Sequence, residues 1–393
     1  MVTNVRALRL PPWQAVRRSL ALSEQHRRFL VRAVLLALGV RVGLLLAAYV
    51  TGYIIAGMEN ASVPRVMGEM FNRWDATNYE RIAEVGYKSE GHDRLFIVFF
   101  PLYPLLIRIA YYVLYPFQSY FVAALFVSAL ASVAAGFFLQ VLVAGDGGDD
   151  AEAERSVWYM SLFPTAYFLA MPYTEALFLA LAVAAFVAAR RRRWAWSGAL
   201  GMLACATRAQ GIALAPALAV EALHRERWAA PQRAFWLALV PVGLLVYLGI
   251  NWAVFGDPLE FMTIQKEHWF HEFIWPWEGV RDTFTGIQEM QPGSYRVSIL
   301  EFRAAAMVLT AGLLLGGAAW LRPSYQVYGW LSLLLLVSVS FQISLPRYVL
   351  GIFPIFGVMA RAGGSPNVHQ LALTISAVLF GVFYVLYATN WGF

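Results

Sequence analysis

The densest group of reactive side chains in the chain lies in residues 71–87, FNRWDATNYERIAEVGY. Read as a helix, Asp75, Asn78 and Tyr79 stand at i, i+3 and i+4 and share one face. Trp74, Ile82 and Ala83 come round within two turns. The pattern predicts an amphipathic helix lying at a membrane interface, apolar side down, with a carboxylate near its start. The positive end of the helix dipole favours the ionised carboxylate, and an ionised carboxylate can take a proton from a sugar hydroxyl. A helix cap is the plainer reading of an isolated Asp in this position.

Other charged residues sit where charge is costly. Arg208 lies inside an apolar stretch, in ATRAQG, close to Gly211. A guanidinium at that depth costs several kcal/mol unless it is paired, so it marks either a structural ion pair or a functional site. Arg347, in ISLPRYVLGIFPIF, falls at the mouth of an apolar run, where a snorkelling anchor is the alternative. Glu175, in MPYTEALF, opens a helix as a cap would, and Asp257 precedes a proline, as a turn residue does. These residue types suit lipid-phosphate chemistry. A sugar leaving a lipid phosphate releases an anion that arginine can stabilise, an acceptor hydroxyl needs a base, and Trp and Tyr rings pack on sugar faces. The six His are scattered and no metal-binding spacing stands out, so no cofactor is expected; a divalent ion between Asp75 and Glu175 is the alternative.

These residues are carried on an unusual framework. Hydrophobic residues make up 60% of the 393 and charged residues 14%, whereas soluble domains hold roughly 45–50% and about 25%. The composition predicts an all-α, polytopic integral membrane protein, with room for about 10 or 11 spans of about 20 residues and none for a second, soluble domain. Residues 1–393 therefore read as one membrane-embedded unit. Residues 1–29 form a basic tail, arginine-rich from Arg6 to Arg28, expected to be cytoplasmic and to lie on anionic membrane lipids rather than on nucleic acid; no cleavable signal peptide is expected. Lone Cys205 is expected to be a small buried hydrophobe.

With the tail inside, the first span at 30–56 places residues 57–95 outside as a first outer loop. Apolar runs follow at 95–115 and 119–144, then the acidic loop GDGGDDAEAE at 145–154. The run 156–172 is a minimal span or a re-entrant segment, and 194–223, with TRAQG in its middle, is one tilted span or two half-helices meeting inside the membrane, the pair being favoured by its two cationic ends. Residues 233–255 return outward to a second outer segment, 256–301, whose Trp269, Trp275 and Trp277 suit an interfacial belt. Spans at 302–321, 325–344, 346–361 and 370–390 complete the chain.

RWDATNYERIAEVGY followed by FFPLYPLLIR resembles the opening signature of the second GPI mannosyltransferase family, the PIG-V type. In that family an outer-loop Trp-Asp precedes IA..GY and then FFP..P. SLFPTAYFLAMPYTEALF, ATRAQG, FGDPLEFMTIQKEHW and LPRYVLGIFPIF match in the same order, so the likeness runs from about 71 to 357. The charged KSEGHDR at 88–94 and Val98 depart from the pattern. The resemblance implies a GT-C type enzyme that moves mannose from a polyprenyl-phosphate donor with inversion, and its catalytic carboxylate maps to Asp75. Physical inference then assigns the donor phosphate to Arg208 and Arg347, and sugar or acceptor contacts to Trp74, Asn78, Tyr79, Glu175 and Gln210. The acceptor is expected to be a glycolipid or a protein. The Ala- and Arg-rich composition suggests a prokaryotic plasma membrane, with the site on its extracytoplasmic face. A secondary transporter or lipid flippase is the competing reading of Arg208 and a broken helix, but no internal repeat supports it.

Overall fold

The computed structural model describes residues 23–54, 57, 62–226, 235–290, 295–340 and 343–389. The basic tail up to residue 22 lies outside the described residues. The helices run in chain order as α1 (Glu24–Ile54), α2 (Val63–Phe71), α3 (Asp75–Val85), α4 (Leu102–Val113), α5 (Tyr120–Gly145) and α6 (Asp150–Leu162). Next come α7 (Glu175–Arg190), α8 (Trp194–Cys205), α9 (Leu214–Glu226), α10 (Val242–Phe255), α11 (Glu260–Trp269) and α12 (Pro276–Glu289). The last are α13 (Tyr295–Gly316), α14 (Pro323–Val337), α15 (Leu345–Tyr348), α16 (Pro354–Ala362) and α17 (Pro366–Ala388). The strand-like pairing among the described residues is an isolated antiparallel bridge between Phe273 and Val339. The all-α, polytopic membrane architecture expected from composition is the one observed.

Among the described residues, five helices are long and apolar enough to cross a bilayer: α1, α5, Phe235–Phe255, Ser298–Gly316 and α17. Two bent pairs raise the number to seven if each is one span. One joins the 3-10 turn His92–Val98 to α4 at 114°, and the other joins Leu345–Gly351 to α16 at 82°. The shortfall from ten or eleven has a local cause. Pro101, Pro164, Pro172, Pro346 and Pro354 interrupt apolar runs that composition alone reads as continuous, because proline removes a helical N–H and clashes with the preceding turn. The run 156–172 resolves into the end of α6, the 3-10 turn Ala166–Leu169 and a buried bend. α7 has 16 residues and α14 has 15, short of the roughly 20 needed for a full crossing.

The acidic loop earns its place at a helix start: the Asp149 carboxylate accepts the Glu152 N–H at 2.6 Å, and Arg32 of α1 reaches Asp150 at 3.0 Å and Glu154 at 2.9 Å. At the arginine-rich end of α7, Arg190 pairs with Asp146 at 2.6 Å, and buried Glu221 gathers Arg190, Arg322 and the Ser324 hydroxyl. This network clamps one end of the bundle, roughly 24 Å along α7 from Glu175.

The half-helix pair expected at 194–223 is present: α8 stops at Cys205, a 3-10 turn covers Ala209–Ala213, and α9 continues from Leu214. Its freed backbone groups find partners, since Ala206 O accepts Leu102 N–H at 3.1 Å and Arg208 N–H reaches Ala204 O at 3.1 Å. Gly211 permits the fold-back, because a Cβ there would stand 2.5 Å from Cys205 Cα and 2.6 Å from its backbone nitrogen. Backbone cannot yield as a side chain can. Gly211→Ala is therefore expected to lower the melting temperature in detergent and the monodisperse yield sharply, whereas Gly39→Ala, with open space around it, should leave both unchanged; equal behaviour of the two variants in a thermal-shift gel-filtration assay would count against this packing.

Candidate active site

Asp75 is the first residue of α3, directly after the short connection Asn72–Trp74 from α2. The connection is held from below. Tyr173 Oη donates to Arg73 O at 2.8 Å, Tyr387 Oη lies 3.4 Å from Tyr173 Oη, and Arg73 Nε donates to Glu69 O. Trp74 has φ 54°, in the left-handed region that a bulky residue rarely adopts, and its carbonyl accepts from Thr77 Oγ1 at 3.0 Å. Strain of this kind persists only where surrounding contacts over-determine it. Here it aims the first turn of α3 into the bundle. Trp74 itself turns outward, 51% exposed. The sequence grouped Trp74 with Ile82 and Ala83, whereas the buried face of α3 is Ala76, Tyr79, Ile82 and Ala83: Trp74 precedes the helix and does not follow its period.

Four charged groups meet at this point. The Arg347 guanidinium donates through Nη2 to Asp75 Oδ2, and its Nε lies 3.5 Å from Glu175 Oε1. Arg208 Nη1 is 2.9 Å from the same Glu175 oxygen. Side-chain exposure falls from 18% at Asp75 to 12% at Arg208, 6% at Arg347 and 1% at Glu175. The order of the chain is thus Asp75, Arg347, Glu175, Arg208, with charges that alternate and cancel. Asp75 and Glu175 each stand at the first position of a helix, where the dipole favours negative charge, and both direct their carboxylates to arginine.

Aromatic rings line the cations. The Arg347 guanidinium lies 5.3 Å from the Phe168 ring centroid and 5.0 Å from those of Tyr173 and Tyr348; Arg208 stacks on Tyr348 at 3.9 Å. Tyr348 Oη also accepts from Arg347 Nη2 at 3.2 Å. The turn that presents Arg347 is fixed by Thr165 Oγ1, which donates to Pro346 O at 3.0 Å, and by Tyr328 Oη, which donates to Gly351 O at 2.7 Å. Ring faces attract guanidinium, most strongly when desolvated, and so help to hold two arginines close together.

The remaining expected site residues are placed as follows. Tyr79 is buried against Phe99 and Tyr103, with ring centroids 5.0 and 5.2 Å away, and Asn78 is half-buried on the same helix. Gln210 is buried next to Phe178 and Gly351, and neither its amide nitrogen nor its oxygen has a hydrogen-bond partner among the described residues. Asp257 caps a turn, accepting Leu259 N–H at 2.8 Å. Trp275 and Trp277 stack exposed at 5.0 Å, as a belt would, but Trp269 packs inward on Phe99. Sequence reasoning missed Tyr348, Tyr173 and Phe168, whose apolar surroundings hid their role. It also missed Arg41, a guanidinium within α1 that bonds Ser132 Oγ at 3.1 Å and Leu169 O at 3.3 Å; its charge inside an apolar run was the available signal. Among the described residues no group of three His, Cys, Asp or Glu is arranged to hold a metal ion. Cavities of about 280 and 200 Å³ open near Arg190 and near Arg322, and none of the four charged residues lines them.

The fold and this cluster define a polytopic membrane protein with an acid–arginine cluster at the start of α3. Residues 50–230 match the family described as Mannosyltransferase (PIG-V), a stretch that contains Asp75, Glu175, Arg208 and Gln210. The likeness read from the sequence is thus shown over that stretch, and the mannosyltransferase domain supports a glycosyltransferase activity. No curated protein and no solved structure matches the chain.

Next to the site on α3, burial pushes the Glu80 carboxyl up to about 7, opposed by a hydrogen bond with Asn72. The unfolded chain ionises near 4.3. The sign follows: between those values the unfolded state releases a proton that the folded state keeps, so stability falls as pH rises toward 7 and then levels. The melting temperature should be lower at pH 8 than at pH 5, and Glu80→Gln should shrink that difference; an unchanged difference in the variant contradicts the assignment.

Proposed function

We propose that the protein is an inverting glycosyltransferase that moves a hexose from a polyprenyl-phosphate donor to a lipid-linked or protein acceptor. Mannose is the hexose that the family match favours. One observation carries the reading: the Asp75 carboxylate at the start of α3 meets buried Arg347, which Glu175 joins to Arg208 in one cluster. In the reaction the acceptor hydroxyl oxygen bonds to the anomeric carbon from the face opposite the leaving group. The bond from that carbon to the phosphate oxygen breaks, its electron pair stays on the phosphate, and the hydroxyl proton passes to Asp75. Arg208 and Arg347 stabilise the charge that builds on the departing lipid phosphate, and buried aromatic rings strengthen the effect by excluding water. Gln210, with both polar atoms unpartnered among the described residues, is suited to a sugar hydroxyl, and Asn78 and Tyr79 follow the acid by one turn on α3.

The site is assigned to the extracytoplasmic face of a prokaryotic plasma membrane. The positive-inside rule supports this, because Arg190–Arg193 and Arg322 lie at the opposite end of the bundle. Phosphate neutralisation by arginine removes the need for an obligatory divalent ion, since both acids already face guanidinium groups.

Purified protein supplied with polyprenyl-phosphate mannose is expected to transfer label to an endogenous lipid or protein fraction. Asp75→Ala should cut transfer by at least about 10²-fold, the scale of a lost general base, with folding retained. Turnover close to wild type in that variant ends the assignment. Transfer should also persist in excess EDTA, and its loss there, restored by a divalent cation, would replace arginine with metal in this scheme.

A further inference from the structure

At rest the cluster spends part of its own chemistry on itself: one Asp75 carboxylate oxygen, Oδ2, accepts an N–H from Arg347, and that Arg347 nitrogen, Nη2, is therefore committed to an acid and not to a phosphate. Glu175 cannot relieve this, because its carboxylate is 1% exposed and lies between both guanidiniums. Asp75 can. It is the most exposed of the four, it stands at the end of its helix beside the strained Trp74 connection, and its hydrogen bond in the cluster is the one to Arg347.

We propose that the donor phosphate displaces Asp75 from Arg347, so that the base is freed only once the donor is bound. The inference rests on the glycosyltransferase reading given above. A phosphate oxygen accepts the Arg347 N–H that Asp75 gives up, so one anion replaces another on the same donor. Glu175 keeps Arg208 and Arg347 side by side throughout, which makes it a positioning residue and not a substrate contact. Asp75, released, turns to the acceptor hydroxyl. The exchange imposes an order: donor first, acceptor second. An acceptor arriving alone meets a carboxylate whose charge is still balanced by Arg347, a weaker base than the released acid.

The exchange predicts an inverse effect of the catalytic acid on binding. Polyprenyl monophosphate and the chain-matched polyprenol would be titrated into full-length wild type, Asp75→Asn, Asp75→Ser and Arg347→Gln in detergent, with sugar transfer measured on the wild type in parallel. Wild type should prefer the phosphate to the alcohol. Both neutral Asp75 variants should bind the phosphate roughly tenfold tighter, the scale on which one close charge pair competes, with polyprenol affinity unchanged. Arg347→Gln should lose the preference. Asp75 variants that bind no tighter than a wild type active in transfer would overturn the exchange and leave the glycosyltransferase reading standing. Absence of transfer from the polyprenyl-phosphate sugar by wild type would remove that reading itself. A further measurement needs no variant: inhibition of wild-type transfer by polyprenyl monophosphate should be competitive toward the donor and noncompetitive toward the acceptor. Inhibition uncompetitive toward the acceptor, the pattern of acceptor binding first, refutes the order.

Discussion

Charge balance inside an apolar body is the constraint on which this structure turns. Arg347 is almost wholly enclosed, and a guanidinium in that setting survives only if carboxylates and ring faces replace the water it has lost. Asp75 and Glu175 supply the charge, and Phe168, Tyr173 and Tyr348 supply the faces. The four charged groups come from different parts of the chain: the start of α3, the start of α7, the break after α8 and the short helix α15. The four segments are held in register because none of their charges can be left alone at low cost.

The breaks in the apolar runs make that meeting possible. A continuous helix carries its side chains around a cylinder and hides its backbone groups; a broken one ends within the bundle and presents a terminus there. Glu175 opens α7 after the bend at Pro172, Arg208 stands in extended backbone between α8 and the next turn, and Arg347 lies just after Pro346. The same breaks that shorten the apolar helices place three of the four charged groups at helix ends. Their backbone partners are supplied by neighbours, as where Leu102 N–H bonds Ala206 O.

The two ends of the bundle use charge differently. At the arginine-rich end, Glu221 is surrounded by Arg190, Arg322 and the Ser324 hydroxyl, and Tyr325 Oη donates to Asp146 at 2.5 Å. Every carboxylate there has more than one donor, which is the pattern of a clamp. Around Asp75 the acid has one strong partner and remains partly open. That difference in saturation separates a structural network from one able to exchange partners with a ligand.

Sequence alone settled the solvent and the class. Apolar content this high with so few charges leaves lipid as the only environment for most of the chain, and helices as the way to satisfy its backbone there. The half-helix pair at 194–223 was legible because TRAQG puts a charge and a glycine in an otherwise apolar run, and Asp75 was legible because its neighbours share a helical face and match a family signature. The outward turn of Trp74 was not, since a left-handed residue outside the helix obeys no period. Nor was the pairing itself: Asp75 and Arg347 are 272 residues apart, and no local pattern encodes which buried acid meets which buried arginine. Only packing decided that Glu175 would bridge both cations and that three aromatic rings would enclose them, because those contacts depend on the positions of whole helices and not on the residues beside them.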